Sequence, residues 1–113
     1  MKFLCMIYMD EQRLRQMPKA ELEACMAEQL GYFEKLKVQG HGEAAFSLQP
    51  ADAAACVAVR GGQLLVTDGP FAETSEQFGG FFLIDARDLN EAIRLAGQIP
   101  LARDATIEVR PLR

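Results

Sequence analysis

Asp68 ends an apolar run and directly precedes Gly69, Pro70 and Phe71, with Glu73 and Glu76 a few residues on. A carboxylate fixed at a strand end can accept a proton as a general base or receive a ligand donor. Asp in this setting also bonds its own turn backbone, so both roles stay open for Asp68. On a helical turn over residues 72–77, Glu73 and Glu76 would share one side as a two-carboxylate site for a cation or a basic ligand group. As solvated acids they would do nothing. His41 is the single histidine and sits between two glycines. Its imidazole titrates near neutrality and could serve as acid or base, or simply occupy an exposed turn. Tyr8 lies in the first apolar run, where its hydroxyl could enter a cavity. Glu108 and Arg110 project together from the last strand, where they could form a cross-strand ion pair, line the same cavity or make a solvated edge. The candidate set is therefore Asp68, His41 and Tyr8 for chemistry, with Gly69, Pro70, Phe71, Glu73, Gln29 and Arg110 for binding.

The loop that carries Asp68 is longer than a hairpin requires, since about two to five residues suffice to connect two strands. Ordered loop beyond that need is more often retained for binding than for architecture.

Composition excludes several classes of function. A net charge of −4 leaves no basic stripe for phosphates, so nucleic acid is not an expected partner. The three cysteines, Cys5, Cys25 and Cys56, are widely spaced and form no CxxC or Cys/His cluster. They read as buried, reduced thiols of a cytoplasmic protein, with neither metal nor disulfide framework. No cofactor fingerprint appears, and Gly79-Gly80 resembles no phosphate loop. The apolar run Phe3 to Met9 is too short for a signal peptide and ends in Asp10-Glu11. No stretch approaches a membrane span, so no membrane partner is expected.

The elements that must position these residues follow from periodicity. Phe3 to Met9 reads as a strand apolar on both faces. Pro18 opens a helix whose stripe is Leu22, Cys25, Met26, Leu30, Phe33 and Leu36, ending before Gly40. Glu43 to Leu48 is extended. Ala53 to Arg60 and Gln63 to Thr67 form a hairpin about Gly61-Gly62. Gly80 to Ala86 is another strand apolar on both sides. Asp88 caps a second helix in a capping box with Glu91, ended by Ile99-Pro100. Thr106 to Arg110 closes the chain as a half-polar strand. One domain, residues 1–113, results: a ferredoxin-like βαββαβ α+β sandwich with an inserted β-hairpin. Two helices cover only one face of its sheet. Leu4, Met6, Tyr8, Phe81 and Leu83 point to the other, which needs a cover. A homodimer is the economical solution, with a ligand cavity between the facing sheets.

Residues Leu48-Gln49-Pro50, Thr67 to Thr74, Glu76-Gln77, Gly79-Gly80-Phe81, Ile84-Asp85, Asp88-Leu89, Ile99-Pro100 and Glu108 to Pro111 resemble the DGPF branch of the YCII-related family. The resemblance implies a dimeric α+β barrel of ferredoxin-like subunits in a small bacterial cytoplasmic protein. It also implies that enzymatic use is open, since a distant YCII-related member is a dehydrochlorinase. Metal-independent acid/base or elimination chemistry on a small organic molecule is the expected reaction class. The alternative is a non-enzymatic accessory module, as some relatives are associated with extracytoplasmic-function sigma factors. A histidine–aspartate pair has been suggested as the wider family's active site. Counting back from Gly40 puts its helical histidine on Gln29, which lies within the apolar stripe and should face the sheet, so the pair does not carry over intact.

Overall fold

The computed structural model describes all residues, Met1–Arg113. Strand β1 runs Lys2–Met9, and Asp10 then caps a short helix α1, Glu11–Gln16, by accepting from the backbone N–H of Gln12 at 3.0 Å. This helix is an addition to the sequence-based expectation, although Asp followed by helix formers is a start signal. Met17 is extended because it precedes a proline, and α2 follows over Lys19–Val38 with Pro18 at its cap. Then come β2 (Gly42–Ser47), a 3-10 turn (Ala51–Ala53), β3 (Ala55–Arg60), β4 (Gln63–Asp68) and β5 (Gln77–Asp85). Helix α3 (Leu89–Ala96), a 3-10 turn (Pro100–Arg103) and β6 (Thr106–Pro111) finish the chain.

Four strands form one antiparallel sheet in the order β2-β5-β1-β6. The connections from β1 to β2 and from β5 to β6 each skip one strand and carry a helix packed on the sheet, an α+β arrangement compatible with a ferredoxin-like fold. Strands β3 and β4 pair only with each other.

Period-two alternation sorts β1 and β5 between the two faces of the sheet. Phe3, Cys5 and Ile7 join Phe82, Ile84, Phe33, Leu36, Leu95 and Ile99 in the one buried cluster. Each such aliphatic or aromatic side chain contributes about 1.5–3 kcal/mol by leaving water. The helical stripe keeps Phe33, Leu36 and Gln29 on the sheet side and departs from the sequence reading at Met26 and Leu30. Gln29, Phe33 and Leu36 are the buried residues of α2, while Met26 and Leu30 are 44% and 62% exposed. Buried polar Gln29 is tolerated because its side-chain oxygen accepts from the backbone N–H of Leu101 at 3.2 Å. The cysteines are all free, yet only Cys5 is fully buried; Cys25 and Cys56 are partly exposed. Burial pushes the Cys5 thiol up to about 11, which keeps it protonated.

The molecule is flat, measuring 47 × 39 × 19 Å, the thickness of one sheet and one helix layer. Its radius of gyration of 15.8 Å exceeds the roughly 13 Å usual for this length. The excess reflects the β3–β4 ribbon, whose second strand is exposed at every residue.

Candidate functional site

A one-residue irregularity in β5 shapes the open face of the sheet. Ile7 pairs with Gly80 but Tyr8 pairs with Phe78, which leaves Gly79 unpaired. Residues three apart on a regular strand point to opposite faces. The extra residue at Gly79 turns Phe78 onto the same face as Phe81. Glycine is needed beside it, because a side chain on Gly80 would stand 2.8 Å from the carbonyl oxygen of Phe46. The outcome is a continuous aromatic row: Phe46–Phe81 at 5.7 Å, Phe81–Phe78 at 6.5 Å and Phe78–Tyr8 at 5.7 Å between ring centroids. No element of the chain covers this row, and Phe46 and Phe78 are exposed.

The row ends in a large cleft, of about 1100 Å³. Its floor is Tyr8 and Phe78, and one wall is the chain from Leu48 to Ala54. The opposite wall is the acidic loop from Pro70 to Gln77 together with Thr106 and Glu108 of β6. The loop turns at Gly69, whose φ of +94° favours glycine. Further on it is stitched to itself: the Gln77 amide donates to the carbonyls of Ala72 at 3.0 Å and Thr74 at 3.1 Å. Thr106 ties it to β6 by donating to Glu76 at 2.9 Å. The Tyr8 hydroxyl has only the Met6 sulfur near it, at 3.9 Å, so it remains available to a ligand.

The sequence-based candidates do not all converge. Tyr8, Pro70 and Phe71 border the large cleft, and Phe71 is 95% exposed at the loop tip. Asp68, Gly69 and Glu73 lie on the other side of the same loop, in a polar cleft of about 590 Å³ with Asp10, Glu11 and Asp52. Most acids there already have structural partners. Asp10 caps α1, Glu11 accepts from the backbone N–H of Ala51 at 2.8 Å, and Asp52 faces Arg15 at 3.8 Å. Asp68 and Glu73 are the two left free, and no three acids converge in metal-binding geometry. The expected Glu73/Glu76 pair is not formed. Residues 72–76 make bends and not a helical turn, so the two carboxylates line different clefts.

His41 is held at the far end of the sheet. Its Nδ1 lies 2.8 Å from the carbonyl oxygen of Asp85, and since a carbonyl only accepts, Nδ1 carries the proton. Asp85 pairs with Lys2 and Gln77 with Met9, at opposite ends of β1. At about 3.3 Å per residue that separates His41 from the loop by roughly 25 Å within one subunit. Gln29 lies on the helix side of the sheet, in a third pocket. Arg110 is on the open face but bonds Glu108 of its own strand, so their ion pair is not cross-strand. Phe78 and Thr106 are the site residues that the sequence reading passed over. Pairing β1 with its two neighbours would have found them, since both lie directly opposite Tyr8.

Comparison with known proteins agrees with this frame. The model of the YCII-related domain matches residues 1–113. An uncharacterised protein of Rhizobium meliloti (strain 1021) is 37% identical over 114 residues, covering 99% of this chain and 92% of that relative. The chain belongs to the YCII-related domain family.

Proposed function

We propose that this chain pairs with a second copy of itself through the open sheet face and binds a small organic molecule in the large cleft where that face ends. The uncovered aromatic row from Phe46 to Tyr8 carries the reading, because monomers seldom expose contiguous apolar patches beyond a few hundred Å². Two ferredoxin-like subunits meeting face to face would bury that row and roof the cleft, giving a dimeric α+β barrel. The ribbon between β2 and β5 reads as an insertion that extends the same contact, since a lone two-stranded hairpin is marginal in water.

Inside the cleft the Tyr8 hydroxyl and the carboxylates of Glu76 and Glu108 face a largely apolar ligand space. A phenol and carboxylates in reach of one ligand support proton transfer, so elimination or another acid/base step is the reaction class. Asp68 acts on such a ligand only across the turn, from the polar cleft.

The test joins sedimentation with titration of a panel of phenols and aromatic acids. A twofold species that binds a panel member saturably, and loses about tenfold in affinity on Tyr8→Phe, is the expected result. A lone subunit at micromolar concentration that binds none of the panel is the opposite one. The exposure of Phe71 favours a second reading, in which the loop tip contacts a regulatory protein. Phe71→Ser separates the two, since ligand affinity falls only if the ring is part of the cleft wall.

A further inference from the structure

The large cleft on the open face is poor in positive charge and rich in acceptors. No Lys, Arg or His lines it, whereas two carboxylates do, those of Glu76 and Glu108. Arg110, from outside the lining, engages one oxygen of Glu108 and leaves the other. Glu76 has no such compensation. It is partly buried and forms no ion pair, and its one side-chain bond comes from the Thr106 hydroxyl, which donates to Oε1 at 2.9 Å. A carboxylate drawn out of water without a counter-charge is costly. A second subunit closing over the sheet would draw it out further.

The neutral donors along the same wall are largely spent within the protein. The Gln77 amide nitrogen donates to the carbonyls of Ala72 and Thr74, and the Thr74 hydroxyl donates to the Glu76 carbonyl at 2.6 Å. Thr106 is committed to Glu76. The side chains of Tyr8, Gln49 and Ser75 are left to donate to a ligand. An anion in this space would meet two carboxylates of its own sign, with only those neutral donors to hold it. A cation meets the reverse. The floor adds to its attraction, since the Tyr8 and Phe78 rings lie 5.7 Å apart, tilted by 35°. An aromatic face attracts a positive charge held within about 6 Å of its centre. A hard metal ion is the poorer match, because it seeks about six or more oxygen ligands and no three acids converge here.

Resting on the assignment of this cleft as the ligand site, we propose that its ligand is an organic cation, an ammonium group carried on an apolar body. Glu76 supplies the counter-charge, and the rings of Tyr8 and Phe78 receive the apolar body and the face of the cation. Glu76 is thereby the residue that sets the charge preference of the cleft.

The test uses the full chain and three probes built on one phenol ring: tyramine, para-ethylphenol and para-hydroxyphenylpropionate. They differ in carrying a positive, a neutral or a negative end. In calorimetric titration at fixed ionic strength, tyramine should bind about tenfold or more tightly than para-ethylphenol, the worth of one hydrogen bond to a charged group. The propionate should bind most weakly. Glu76→Gln keeps an oxygen for the Thr106 hydroxyl, so it should remove most of the tyramine advantage and leave para-ethylphenol unchanged. Equal affinity of tyramine and para-ethylphenol, or preference for the propionate, would overturn the cation while the cleft remains a ligand site. That comparison needs no variant to fold. A tyramine preference that survives Glu76→Gln would trace to the net charge of −4 and overturn the proposal as well. Failure of all three probes to bind would strike the cleft itself, and this inference with it.

Discussion

Phe81 and Phe82 are neighbours on β5 and meet opposite fates. Phe82 is 4% exposed under α2, where it meets Phe33 edge-on at 5.3 Å and stacks beside Tyr32 at 6.5 Å. Phe81 faces away from both helices, and its aromatic neighbours are Phe46 and Phe78 of the open-face row. The two faces have similar apolar content, but only one has a cover. Helices α2 and α3 are tied to each other over it, with the Tyr32 hydroxyl donating to the Leu95 carbonyl at 2.7 Å. The lesson is that strand patterning states how many faces must be buried, while the number of helices states how many the chain can bury by itself. The difference between the two is a demand on something outside the subunit.

Four substitutions would break or sharpen this contrast. On the covered face, Ile84→Ala empties a site that is 1% exposed and should cost about 2–5 kcal/mol in urea unfolding. An effect below 1 kcal/mol would mean that the helix layer is looser than its geometry. On the open face, Phe46→Glu should leave the fold of the subunit intact, because the ring is 64% exposed, yet shift sedimentation from a pair to a lone subunit. If the unaltered chain already sediments alone, the open face is no interface and the contrast loses its functional meaning. Asp88→Ala tests the cover itself. Its side chain accepts from the Glu91 N–H at 2.8 Å, and losing that cap should cost about 1 kcal/mol with no change in association.

The smallest effect concerns Glu91, whose carboxyl is held below the usual range chiefly by the backbone N–H of Arg87 and also by the Arg87 guanidinium. A depressed pKa stabilises the fold above the unfolded-state value and is lost as pH falls through the folded-state value. Glu91→Gln should therefore be less stable than the unaltered chain at pH 7, with the gap closing as pH drops below the ordinary carboxylate range. Thermal melts across that range would show it. A gap that stays constant with pH would remove the charge from the explanation.

Much of the frame was legible from local pattern because the forces that set it are local. Short runs apolar on both faces marked β1 and β5, Pro18 and Gly40 bracketed α2, and Asp88 marked the start of α3. The capping box was right at Asp88 and displaced at Glu91, which reaches back to the N–H of Arg87 and not to that of Asp88. Helix α1 was missed because its six residues carry no apolar stripe. The stripe on α2 was right at Phe33, Leu36 and Gln29 and wrong at Met26 and Leu30, which the sheet leaves exposed. Spacing placed Gln29 on the covered face, but the distant N–H of Leu101 that satisfies its side chain cannot be read from periodicity.

The candidate site shows the same division. The identity of the loop, its turn at Gly69 and the excess of apolar strand surface over helix cover were all set by the sequence, since each depends on residues adjacent along the chain. Which side of the loop each carboxylate faces was decided only by tertiary structure. So was the grouping of Tyr8 with Phe78 and Thr106, and the removal of His41 to the other end of the sheet. These depend on strand register and on one unpaired residue at Gly79, where a shift by a single position exchanges the two faces of a strand.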